Sequence, residues 1–309
     1  MNRRSFISRL GVASLGGAVS RAYLNAASKD GFRFRYMLAS SMYGELPLDV
    51  ILPEVQKTGA SFVDIWPRVH GNQREQMDLL GHSVVADMLA KRGLQIGCLT
   101  RYDLGPFGLR PEMAVAKRFA CRLMVCGGSG PAGLKGSDLK GAVQTFVEKM
   151  RPELEHAAEH EVSIAIENHG NNLIDSADSL KWLIDLRPLP NLKVALAPYH
   201  LERLDLDERG LADLIGALGN EIGVFYAWQY GMGCHKKLPK EQELLQMAGR
   251  GDFDFTAPVR ALRRINYEGF TELFMHPVPR GIPILPTAGE TTAEINRSRS
   301  YLEQLAVVD

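Results

Sequence analysis

Cysteine is scarce in this sequence: Cys98, Cys121, Cys126 and Cys234 are the only thiols in 309 residues, and no two form a Cys-x-x-Cys pair. A zinc ribbon or a disulfide-stapled module is thereby excluded. An excess of charge is lacking too, since 36 lysines and arginines offset 36 acidic residues. No strong field exists to hold nucleic acid or an anionic membrane. No Gly-x-Gly-x-x-Gly follows the first apolar run, which leaves a dinucleotide fold without its phosphate fingerprint. The small, apolar stretch 10–19 is shorter than the roughly 18 residues a membrane span requires.

That stretch follows Asn2-Arg3-Arg4-Ser5-Phe6-Ile7 and precedes the small residues Ala26-Ala27-Ser28. Paired arginines, a short apolar region and a small-residue cleavage site read as a twin-arginine export signal over residues 1–28. The expectation is a periplasmic or otherwise extracytoplasmic protein with no stable membrane anchoring once the signal is cleaved. Residues 29–309 then form the folded part, and 45% hydrophobic residues suffice for one large core.

From residue 32 onward, short apolar runs recur about every 30 residues, at 34–39, 62–66, 94–99, 123–126, 162–166, 192–196, 222–227 and 271–275. Most lack polar alternation, as strands covered on both faces do, and such strands belong to parallel sheets. Parallel strands need crossovers, and segments of helical period supply them at 48–57, 74–91, 111–119, 138–160, 176–186, 208–218, 256–265 and 292–305. Eight strand–helix units in about 280 residues predict a single-domain α/β fold, the (β/α)8 TIM barrel. The stretch 230–251 is the one long excursion, a lid or an assembly surface.

In such a barrel the strand ends and the loops that follow them converge on one mouth. Here they deliver Trp66, Arg68 and His70 after the second strand, Arg101 after the third, and Glu167, Asn168 and His169 after the fifth. The sixth brings His200, the seventh Tyr226, Trp228 and Gln229, and the eighth His276 and Arg280. A buried carboxylate among several imidazoles suits proton transfer or metal ligation. Arginines suit a carboxylate or phosphate, and indole faces suit a sugar ring. His82, His156 and His160 on helical segments and His235 in the long loop read as solvated surface.

Three stretches carry a resemblance: Ile164-Ala165-Ile166-Glu167-Asn168-His169, Ala197-Pro198-Tyr199-His200, and Gly249-Arg250-Gly251-Asp252-Phe253-Asp254-Phe255, with Tyr267-Glu268-Gly269-Phe270 leading into the last strand. In these the chain resembles the xylose-isomerase-like barrel family of sugar phosphate isomerases, epimerases and apurinic endonucleases. The resemblance implies a divalent metal at the mouth, held by a glutamate, an aspartate, a histidine and a glutamate after strands five to eight. Glu167 matches the first. Ala197 stands at the aspartate, with His200 three residues on; Tyr226 replaces the histidine; and Phe274-Met275-His276 stands where the last glutamate is expected.

A substitute metal site of Glu167, His200 and His276, with Gln229 as a weaker fourth ligand, suits manganese, zinc, iron or cobalt. Glu167, His169 and His70 are the expected proton-transfer residues. Trp66, Arg68, Arg101, Asn168, Tyr226, Trp228 and Arg280 are expected to bind a small carbohydrate. The implied activity is metal-dependent isomerisation or epimerisation by proton abstraction beside a carbonyl, or carbon–oxygen lysis or hydration of a keto-sugar glycoside. The alternative is a carbohydrate-binding barrel that has lost its metal site and does not catalyse. Neutral net charge argues against the endonuclease branch, and homo-oligomerisation is left open.

Overall fold

A computed structural model describes residues 31–230 and 239–307. Eight parallel strands run β1 (Arg35–Ala39), β2 (Phe62–Ile65), β3 (Gln95–Thr100), β4 (Leu123–Gly127), β5 (Ser163–Glu167), β6 (Leu192–Leu196), β7 (Ile222–Ala227) and β8 (Phe270–Leu273). Each pairs with its sequence neighbours, and β1 pairs with β8 through Arg35↔Phe270 and Tyr36↔Thr271, closing the barrel. The expected (β/α)8 fold is the fold observed. Closure leaves no strand edge, so each strand is covered by neighbours laterally and by helices outside. Every side chain from Ile164 to Ile166, like most in these strands, is consequently buried, each large one contributing about 1.5–3 kcal/mol.

The helices are α1 (Leu48–Lys57), α2 (Gln73–Leu80), α3 (His82–Ala90), α4 (Arg110–Arg118), α5 (Gly136–Glu159), α6 (Ala177–Asp185), α7 (Pro198–Glu202), α8 (Glu208–Leu218), α9 (Thr256–Arg264) and α10 (Ala288–Val307). The single helix expected over 74–91 is divided into α2 and α3, because Gly81 adopts φ +86° and breaks the hydrogen-bond ladder. Ser176 starts α6 with a reciprocal cap to Ser179, and Asp207 accepts from the Gly210 N–H to start α8. The short α7 was not expected. It opens with Pro198 at a position where a missing N–H costs nothing, and it carries His200 on one helical turn rather than on a strand end.

Two loops at the mouth are zipped together. The Glu45 N–H donates to Gly281 O and the Ile284 N–H to Met42 O, at 3.0 and 3.1 Å. Between β7 and α9 a 3-10 segment covers Lys240–Gln246. Part of the long excursion, like the whole segment read as an export signal, lies outside the described residues. Among the described residues, no helix is long and apolar enough to cross a membrane.

Candidate functional site

Three carboxyl side chains, Asp64 of β2, Glu167 at the end of β5 and Glu272 of β8, are buried in the barrel. Burial raises the pKa of each, because the interior disfavours the ion. Asp64 is pushed up to about 7, held back by the Thr100 hydroxyl, which donates to its Oδ2 at 2.6 Å. Burial raises Glu272 well above its ordinary value, and the charges of Asp64 and Glu167 add to this. Burial likewise raises Glu167, opposed by the positive charge of Arg280. Neither Glu272 oxygen has a hydrogen-bond partner, nor does the hydroxyl of Tyr226, whose backbone is in register with Glu272. These groups form an acidic floor whose carboxyls ionise less readily than exposed ones.

Above the floor stands a wall of imidazole and indole rings. His200 Nε2 lies 3.7 Å from Glu167 Oε1, and the His169 ring lies 4.2 Å from the His200 ring. His70 stacks on His276 at 4.6 Å, and both meet Trp66 edge-on. His200 and His276 each meet Trp228 edge-on at 5.2 Å. Burial and then the charge of Arg280 lower His70, to about 4, and drive His276 well below its ordinary value. Burial lowers His169 as well, although a hydrogen bond between its Nδ1 and Gly170 O, at 2.8 Å, works against this. Three of the four imidazoles are therefore neutral at pH 7. Arg280 acts electrostatically on all three and on Glu167, which places its guanidinium over the mouth.

The expected site residues divide into two groups. Glu167, His169, His200, His70, His276, Trp66, Trp228, Tyr226 and Arg280 are drawn together around this floor and wall. Four others have structural duties. Arg101 forms ion pairs with Asp103 at 2.7 Å and Glu112 at 2.6 Å, which occupy the guanidinium expected to clamp substrate. Arg68 stays largely exposed beside Glu45. Both ends of the Asn168 amide bond the backbone of Ala197, at 2.9 and 2.8 Å, so Asn168 locks β5 to the turn after β6 instead of meeting a sugar. Gln229, expected as a fourth ligand, donates to Met247 O at 2.6 Å and accepts from the Phe253 N–H at 3.1 Å. Its amide pins the long loop.

The indoles also differ from expectation. Tyr199 covers one face of Trp228 at 4.0 Å and 11°, and the Trp228 indole N–H donates to Gln246 Oε1. Trp66 stacks on Phe274. Both are about 1% exposed, so they shape the wall through packing and offer no open face to a ring.

Asp64, Glu272 and Phe274 escaped sequence reasoning. The expectation that β8 brings no glutamate fails, because the acid sits inside the strand at Glu272 and not at its end. An acid within an otherwise apolar strand, as in Val63-Asp64-Ile65 and Thr271-Glu272-Leu273, was the available signal.

A divalent ion with bonds of about 2.0–2.2 Å needs donors roughly 3.3 Å apart. Glu167 and His200 approach that spacing, Ala197 brings no donor, and Gln229 is engaged elsewhere. Among the described residues, no three acidic, histidine or cysteine ligand atoms at the mouth lie within 4.8 Å of one another; the one such group is His156, Glu159 and His160 on α5. As placed, the mouth supplies two donors, and His276 does not join them.

A family model for the xylose isomerase-like TIM barrel matches residues 52–300. Among solved structures, the chain is similar to an IolI protein with a bound zinc atom, at 14% identity and TM-score 0.67, covering 88% of this chain and 98% of that one. It is similar to a probable 3-DHS dehydratase from Bacillus anthracis at 16% identity and TM-score 0.64, covering 85% and 97%. A D-psicose 3-epimerase from Clostridium cellulolyticum H10, solved with D-tagatose, matches at 15% identity and TM-score 0.64 over 89% and 100%. At these identities the likeness is one of fold. No curated protein sequence matches significantly.

Proposed function

This chain belongs to the xylose isomerase-like TIM barrel family, and from that premise we propose that it is an enzyme acting on a small carbohydrate by proton transfer at a carbon beside a carbonyl. One observation carries the reading: Glu167, a buried carboxyl of raised pKa, lies 3.7 Å from His200 at the centre of a covered mouth. A base whose conjugate acid titrates nearer neutrality abstracts a carbon-bound proton more effectively than an ordinary carboxylate. In this scheme ionised Glu167 takes the proton, and the electron pair moves onto the carbonyl oxygen, giving an enediolate. Arg280 and an imidazole N–H stabilise the oxygen anion. Return of the proton to the former carbonyl carbon, with the α-hydroxyl proton passing to the former carbonyl oxygen, gives isomerisation, and its return to the original carbon from the opposite face gives epimerisation. Departure of a β-alkoxide, which takes up the proton that Glu167 abstracted, gives elimination. Buried Glu272 adds a second carboxyl that can hold the returning proton.

Among the described residues, manganese, zinc, iron or cobalt at the mouth would have Glu167 and His200 as donors and no third within the same reach. With residues 1–28 as a twin-arginine signal, the substrate would be met outside the cytoplasm, where glycosides outnumber sugar phosphates.

The test is solvent exchange. Keto-sugars incubated with the protein in D2O should gain deuterium at the α-carbon, read by NMR, and Glu167→Gln should slow this by about 10²–10⁴-fold. Equal exchange by the variant would overturn the assignment of the base. Ala197, which brings no side-chain donor, favours a second reading, a barrel that binds sugar without turnover; saturable binding with no exchange is its signature.

A further inference from the structure

We propose that His156, Glu159 and His160 form a binding site for a first-row divalent cation, zinc foremost, on the last turn of α5 and the residue that caps it. Helix α5 leads into β5, so its C-terminus lies at the end of the barrel opposite the mouth. Positions i, i+3 and i+4 share one face of a helix. The two imidazole rings are 4.5 Å apart, His156 Nδ1 lies 3.5 Å from Glu159 Oε2, and one ligand atom from each of the three falls within 4.8 Å of the others. Tetrahedral zinc with bonds near 2.1 Å wants its donors roughly 3.3 Å apart. Glu159 is exposed and His156 partly so, so small side-chain rotations close that gap.

The electronic setting supports the geometry. His160 Nδ1 and the His156 carbonyl oxygen are 2.9 Å apart, which requires the ring to carry its proton on Nδ1 and leaves the Nε2 lone pair for a metal. An imidazole N–H held by a backbone carbonyl is the usual outer support of a metal-bound histidine. The carbonyls ending the helix add partial negative charge, and the Glu159 carboxylate adds a full one. The nearest competing cation is Lys117, whose Nζ donates to Glu159 O at 3.4 Å and is exposed. Arg122 is paired with Glu161. Two imidazoles and a carboxylate are borderline donors suited to zinc, cobalt or nickel rather than calcium or magnesium, and three protein ligands leave the fourth position to water.

Full-length protein, stripped with a chelator and dialysed, is titrated with ZnCl2 by calorimetry and with CoCl2 by visible absorption. One zinc per chain is expected at this site, with the intense visible band of low-coordinate cobalt. His156→Ala and His160→Ala should each weaken binding by at least the roughly tenfold to hundredfold that loss of an outer partner costs. Glu167→Gln should leave this event unchanged, which separates it from any ion at the mouth. Zinc should raise the melting temperature of the wild type and not that of the double histidine variant. Wild-type affinity and stoichiometry in the double variant, or zinc binding lost in Glu167→Gln and kept in the double variant, would overturn the proposal.

Discussion

Among single residues, neutral imidazoles under a guanidinium have a measurable cost. His70 titrates near 4 in the folded chain because of burial and then the charges of Arg280 and His169, against about 6.5 when unfolded. Between these values the unfolded state binds more protons, so stability is fully present above pH 6.5 and is lost as pH falls toward 4. Integrated over that window, the loss attributable to His70 is on the order of 3 kcal/mol. Urea denaturation from pH 7 to 4 should show a shallower decline for His70→Asn than for the wild type, and parallel curves would refute the assignment. Glu167 was legible as a functional candidate because an acid follows three buried apolar residues, Ile164 to Ile166. Asn168 was misread, since its bonds to Ala197 depend on how β5 and β6 stand side by side, and that is absent from either segment alone.

At the level of elements, the closeness of the β1 and β8 loops decides where Arg280 is held. Gly44 has φ +58°, and a Cβ there would lie 2.4 Å from the Ile282 carbonyl carbon and 2.6 Å from Gly281 O. An L-residue would strain the backbone and push the two loops apart, at about 1–3 kcal/mol for each effect. Gly44→Ala is therefore expected to lower stability by about 2–6 kcal/mol and to impair α-proton exchange more than distant substitutions of equal destabilisation; a variant with wild-type melting and exchange would contradict this. Helical periodicity marked the segments that became α1, α4, α5, α6, α8 and α9 to within a few residues. It missed the break at Gly81, where one backbone dihedral outweighs a run of good helix formers, and it missed α7, a single turn too short to show a period.

For the whole molecule, a closed barrel of eight strands completes its core only when β8 meets β1. We propose that residues 1–28 are a twin-arginine signal, a route that carries proteins already folded. Arg3→Lys together with Arg4→Lys should leave the protein in the cytoplasmic fraction with its signal uncleaved, as read by fractionation and N-terminal mass. Export of that double variant at the wild-type level would remove the assignment of residues 1–28.

By itself the sequence determined the number of strands, the parallel closed sheet and the end of the barrel where the polar strand-end residues gather, because apolar runs and crossover length are local properties. Only the tertiary structure decided which polar side chains share a cavity. It placed Asp64 and Glu272 beside Glu167, turned Arg101 and Gln229 to structural partners, and brought together, among the described residues, two of the four expected metal donors. The physical reason is that a polar group's role depends on the partners and solvent that surround it, and distant segments supply both.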